Sequence, residues 1–162
     1  MNKFVAEEKY IIFKVYTYIL ALPIDSVFKV VTCPVELSQT LREAKLAQMG
    51  QRTVMLVNLH SHLNPNYNHQ ENDHSGRFLI IAQGSAGELY GIQVDAPPNM
   101  LSISETSIQP VPQSFHNIGL PTWVSRIAIL NQKSEPTTIL MLDINQTLPS
   151  RNKEPIAALY IK

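Results

Sequence analysis

The sequence predicts an all-β protein: two pseudo-repeated, five-stranded small β-barrel subdomains, with a short helix in the first half. Three observations carry this. The chain repeats itself, since residues 53–59 read TVMLVNL and residues 138–144 read TILMLDI, while LPIDSVFKVV at 22–31 is matched by IQVDAPPNML at 92–101. Apolar residues, many of them β-branched or aromatic, recur in about ten short runs with the period of two that suits strands. Only one segment has clear helical spacing. Short strands in two copies favour two small antiparallel barrels over one sandwich. The expected bounds are about 10–62 for the first subdomain and about 77–148 for the second. A tail at 149–162 completes a single domain of 162 residues.

Taken in order, Ile11, Phe13 and Val15 alternate with Ile12 and Lys14, and Tyr18, Leu20, Leu22 and Ile24 alternate with Ile19, Ala21 and Pro23. These are two strands, and Tyr16-Thr17 is the turn between them, without the Gly or Asn that would define its type. Val27 to Val31 continues as a third strand. Residues 36–49 break the pattern: Leu37, Leu41, Ala44 and Gln48 fall at helical spacing, Ser38 is a candidate cap and Gly50 a stop. Thr53 to Leu59 is the next strand. The polar stretch 60–76, HSHLNPNYNHQENDHSG, has the composition of an exposed loop.

The second half opens with Phe78 to Ala82, the tip Gly84-Ser85-Ala86-Gly87, and Glu88 to Asp95, the strongest hairpin signal in the chain. Pro97-Pro98 ends that strand, because proline donates no ladder hydrogen bond. Met100 to Ile103 is short and extended, 104–124 is a Pro-rich connection, and Arg126 to Leu130 with Thr138 to Ile144 forms the last hairpin. The run Ile156 to Ile161 suits either a strand or a short docking helix.

Bulk properties narrow the function. A chain of this size buries roughly 70% of its unfolded surface and needs no staples. The single cysteine, Cys33, excludes an internal disulfide framework and fits a reducing compartment. Thirteen basic and thirteen acidic side chains cancel. The broad positive field that drives phosphate binding is therefore absent, and no nucleic-acid partner is expected. Glu7 and Glu8 stand where a secretory signal would have its apolar core, and the most apolar stretch, 10–24, carries Lys14 and Pro23. It is shorter than the roughly 20 residues a membrane helix needs, so a cytoplasmic protein without membrane insertion is expected.

No constellation specifies an enzyme. His60 and His62 would share a face if the preceding strand reached them, and with His69 and His74 they suggest a metal-sensing or ligand-binding loop as the alternative function. A solvated His-rich loop explains the same residues, and no metal or cofactor is assigned. Gly84-Ser85-Ala86-Gly87 lacks the following helix of a nucleophile elbow. Cys33 precedes Pro34 and has no neighbour to lower its pKa. His116 and Trp123 suit packing over a barrel end. Asp25, Asp95 and Asp143 recur at strand ends, where capping a turn or accepting a backbone N–H is the simpler role.

The segment Gly91 to Pro112, GIQVDAPPNMLSISETSIQPVP, resembles the second half of the CheW-like domain, with its Gly-apolar-x-Val-Asp strand followed by Ile-x-Pro-x-Pro. Phe13-Lys14-Val15 with Leu20-Ala21-Leu22-Pro23-Ile24 is similar to the family's first hairpin. Val27-Phe28-Lys29-Val30 is similar to its Val-x-Glu-Ile/Val strand, Val54 to Leu59 to its Ile-Pro-Val-Ile-Asp-Leu strand, and Ile139 to Ile144 to its late Leu-x-Leu-Asp strand. The likeness runs from about Tyr10 to Leu148. It implies two five-stranded barrels with a groove between them. It also implies a non-enzymatic adaptor that couples chemoreceptor cytoplasmic tips to the histidine kinase CheA. Five departures accompany it, one being the helical spacing of 36–49. Lys29 replaces an acidic residue, and Gln48-Met49-Gly50-Gln51 stands in place of Asn-Leu-Arg-Gly, without the arginine. Met55 replaces a proline, and Arg126 stands where glycine is common. The surface expected to contact partners is Val27, Lys29, Val30, Met49 and Gly50, with the apolar members contributing burial and Lys29 the charge preference.

Overall fold

The computed structural model describes residues 6–33, 46–57, 59–63, 77–116, 124–132 and 135–144. Among them run strands β1 (Glu7–Val15), β2 (Tyr18–Pro23), β3 (Val27–Thr32), β4 (Leu46–Met49) and β5 (Arg52–Val57), then helix α1 (Leu59–Leu63). There follow β6 (Phe78–Gln83), β7 (Leu89–Val94), β8 (Asn99–Ser104), β9 (Ile108–Pro110), helix α2 (Gln113–His116), β10 (Val124–Gln132) and β11 (Glu135–Leu142). Two 3-10 turns, Ile24–Ser26 and Glu105–Ser107, carry the chain from β2 to β3 and from β8 to β9.

The strands form two sheets, ordered β3-β6-β7-β5-β4 and β8-β1-β2-β11-β10-β9. The orders are equivalent: β3 matches β8, β6 matches β1, β7 matches β2, β5 matches β11 and β4 matches β10. The senses agree as well. In each sheet one parallel pair lies among antiparallel ones, Val54 beside Leu89 in the first and Ile139 beside Ile19 in the second. The repeats TVMLVNL and TILMLDI are thus the same strand of the two copies, in the same register. Each sheet takes its leading hairpin from the other half of the chain: β6 and β7 join β3, β4 and β5, while β1 and β2 join β8, β10 and β11.

Three apolar cores follow from the period of two. All five strands of the first sheet close over Cys33, Ala47, Val54, Leu79, Ile81 and Leu89, flanked by Val31, Met49 and Leu56. All six of the second close over Tyr10, Ala21, Ile103, Ala128, Ile139 and Met141. Alternate residues of the same strands (Phe13, Leu20, Leu22, Ile80, Ile92, Ile127, Leu140) meet between the sheets in the largest core. The inner strands are therefore buried on both faces, as β7 is along its whole length. Gly91 fits tightly there. A Cβ at this position would stand 3.0 Å from Leu56 Cδ2 and from Val54 Cγ1, and 3.3 Å from Leu79 Cδ1.

The sequence expectations are corrected at three places. The helix expected over 36–49 does not extend to 46–49, which is β4, with Ala47 buried opposite Val54; residues 34–45 lie outside the described residues. Pairing with β5 through the tip at Gly50 (φ 62°) overrides the helical spacing. The strand expected to reach Leu59 ends at Val57, and α1 occupies the start of the segment expected to be a loop, whose remainder from 64 to 76 is not described. The connection 104–124 contains β9, which pairs with β10 at the sheet edge, where Pro110 is tolerated. The first hairpin turns at Tyr16-Thr17 as expected, with Tyr16 at φ 56°, a left-handed conformation unusual for a bulky residue.

Candidate docking surface

Strand β3 edges the first sheet and begins with a bulge. Val27 pairs with Ala82 and Lys29 with Ile81, so Phe28 is the extra residue. Cross-strand partners share a face. Val27 therefore joins the inter-sheet core, packed against it half-buried. Lys29, opposite the barrel residue Ile81, is on the barrel side and exposed. Val30 lies opposite Ile80, at the rim of the inter-sheet face, and is 40% exposed.

The β4–β5 hairpin brings the remaining expected residues to the same end. Met49 packs half-buried on the first barrel's core, and Gly50 forms the exposed tip. The five expected partner residues thus gather around one end of the first barrel, with Lys29, Val30 and Gly50 exposed and Val27 and Met49 tied into cores.

Two residues at this end escaped sequence reasoning. Phe28 is 48% exposed, and the Arg52 guanidinium lies over its ring, 5.4 Å from the centroid. Arg52 Nη2 also donates to the carbonyl of Gly87 at 2.8 Å, so it spans from β5 to the β6–β7 tip. That tip is the hairpin turn expected from Gly84-Ser85-Ala86-Gly87: Gly84 N donates to Glu88 O at 2.9 Å, and Gly87 N to Gly84 O at 3.0 Å. The available signal was an arginine two residues after the position where the family arginine is missing, on a strand whose even-numbered residues face the barrel. The bulge that turns Phe28 toward it has no local sequence mark.

The second sheet repeats the apolar part of this surface. Met100 on β8 lies opposite Ile11 as Val30 lies opposite Ile80, and it is 57% exposed.

The residues weighed for chemistry have structural positions. His60 is 1% exposed, and its Nε2 donates to Asp95 Oδ1 at 2.7 Å. Asp95 Oδ2 accepts the backbone N–H of Tyr16 at 3.5 Å, the backbone role expected for this aspartate. The Tyr16 and His60 rings meet edge to face with centroids 5.2 Å apart. His60 sits on α1 and not on an extended β5, so the strand geometry that would have paired it with His62 is absent. Among the described residues no cluster of three or more His, Cys, Asp or Glu is placed to hold a metal. Asp25 lies in the 3-10 turn after β2, and Asp143 follows β11.

Cys33 is buried, and loss of solvent pushes its thiol up to about 11. Tyr10 donates to Glu8 Oε2 at 3.2 Å; burial raises its phenol, with the Glu8 charge adding to the effect and Arg126 opposing it. Arg126 itself is exposed, next to the β10 bulge. The side chain of His116 and all of Trp123 lie outside the described residues. No helix among the described residues is long and apolar enough to cross a membrane.

No curated protein matches the chain. Among solved structures it is similar to the scaffolding protein TtCheW from Thermoanaerobacter tengcongensis. The TM-score is 0.56 at 16% identity, over 86% of this chain and 90% of that one, a likeness of fold. A model of the CheW-like domain matches residues 9–152, nearly the whole chain. The chain belongs to the CheW-like domain family.

Proposed function

We propose that this protein is a non-catalytic adaptor coupling a chemoreceptor cytoplasmic tip to a CheA-type histidine kinase in chemotaxis or related motility signalling. The family match and the likeness to a scaffolding protein support this reading. The observation that carries it is the pair of equivalent edges. Val30 on β3 and Met100 on β8 occupy matching positions on two barrels that share one apolar core, so one body offers two related docking edges. Exposed apolar side chains at such edges are the kind of anchor that partner surfaces cover. Around the first edge, Val27 and Met49 brace the surface from below, Gly50 forms its tip, and Lys29 sets its charge.

The test is co-purification of the chain with a receptor tip fragment and with the CheA regulatory domain, both from the source organism. The adaptor reading expects each partner to bind, and a ternary complex when both are present. Failure of the wild type to retain either partner, or retention unchanged by Lys29→Glu, would sink it.

A further inference from the structure

The two edges match in their apolar residues but not in charge. On the first barrel Lys29 and Arg52 are exposed cations beside the half-exposed Phe28 ring. Among the described residues, no carboxylate pairs with either cation. In the second sheet the place of Lys29 is taken by Asn99, opposite Ile12 as Lys29 is opposite Ile81. The place of Arg52 is taken by Thr137, and β8 has no bulge to insert a ring. Arg52 is also held in position: the Gly87 carbonyl takes one of its N–H groups and Phe28 supports its face, leaving the remaining donors of an exposed planar fork without another partner among the described residues. Holding a long side chain in advance lowers the ordering cost of binding.

We infer that the mouth of the first barrel, built from Arg52, Phe28 and Lys29, is a docking site for an acidic protein surface. A carboxylate would meet the Arg52 fork while an apolar neighbour covers Phe28 and Val30. The site gives a nearly two-fold scaffold a direction, because a carboxylate-bearing partner meets Lys29 and Arg52 at this edge, whereas the matching edge of the second barrel carries the neutral Asn99 and Thr137. Thirteen basic residues balanced by thirteen acidic ones disfavour a nucleic acid as the occupant, since two cations release few counterions. The inference deepens the adaptor reading and rests on it for taking this end of the barrel as a docking face.

The experiment uses three probes on the full chain: a helical peptide with paired glutamates beside a leucine, its lysine counterpart, and a single-stranded oligonucleotide of the same charge as the acidic peptide. Binding is followed by NMR through the Arg52 Nε–Hε signal and the Phe28 ring. The acidic peptide is expected to move both signals and to bind less tightly as salt rises. Arg52→Gln with Lys29→Gln is expected to weaken it by about tenfold or more, with the thermal melt lowered only slightly, since both residues are exposed and Arg52 gives up one surface hydrogen bond and its contact with Phe28. Phe28→Leu, which removes the ring beneath the guanidinium, is expected to weaken it less. No movement of the Arg52 signal, equal binding by the lysine peptide or the oligonucleotide, or an unaltered affinity in the double variant overturns the inference. The adaptor reading fails separately, by loss of receptor and kinase retention while the acidic peptide still binds at Arg52.

Discussion

His60 and Asp95 are joined by a 2.7 Å hydrogen bond that ties α1 to the end of β7, and the same carboxylate reaches the backbone of Tyr16 in the β1–β2 turn. The contact therefore binds the leading hairpin of one sheet to the other sheet. It also gives Tyr16 a tertiary reason to hold φ 56°, since its backbone N–H faces Asp95 and its ring faces His60.

Removal of this contact is expected to destabilise the protein. His60→Ala leaves Asp95 without its imidazole partner and opens space in a buried site, for a loss of about 1–3 kcal/mol. Asp95→Asn keeps an acceptor for the His60 N–H and is expected to cost less. Urea denaturation of both variants checks the order; equal stability of His60→Ala and wild type would show that the bond contributes nothing.

Gly91→Ala overpacks the first barrel. Its Cβ would press on Leu56, Val54 and Leu79, side chains with core on their other sides. The expected cost is about 1–3 kcal/mol. It should appear as a lower denaturation midpoint with an unchanged slope. Gly91→Ala together with Leu56→Val is expected to recover part of the loss.

Cys33 makes stability fall in alkali. Burial raises its pKa to about 11 in the folded chain, above the ordinary thiol range. Between the two values the unfolded chain binds fewer protons, so stability decreases as pH rises. The contribution is complete below the unfolded pKa and is lost as pH rises through the folded one. Cys33→Ala is expected to flatten this part of the stability–pH curve, and the native thiol to resist alkylation at neutral pH until the chain is unfolded. Rapid labelling of the native protein would contradict the burial argument.

The two exposed anchors separate binding from folding. Val30→Glu and Met100→Glu lie at rims and are expected to change stability by less than about 0.5 kcal/mol. Under the adaptor reading each weakens retention of a different partner, and the double variant abolishes the ternary complex. Unaltered assembly by the double variant would move the docking faces elsewhere.

Much of the fold is legible in the residues themselves. Alternation marks β1, β2 and β3, the Gly-rich tip marks β6–β7, and TVMLVNL and TILMLDI mark one strand in two copies. These signals are local: a strand's faces and a tight turn's backbone are set by neighbouring side chains. Of the proposed docking surface, Val27, Lys29, Val30, Met49 and Gly50 were named from the ordered family motifs, whereas Arg52 and Phe28 were not.

Partnership between distant segments was decided by tertiary structure. The parallel ladders β5–β7 and β2–β11, and with them the exchange of leading hairpins between the halves, have no signature in either strand alone. They arise because the inner strands are apolar on both faces and must be covered by a barrel core on one side and the facing sheet on the other. The same competition turned residues 46–49 from a helical spacing into β4. It placed His60 in the core beside Asp95, and it set the Arg52 guanidinium over Phe28, a contact across a bulge that only the closed barrel brings together.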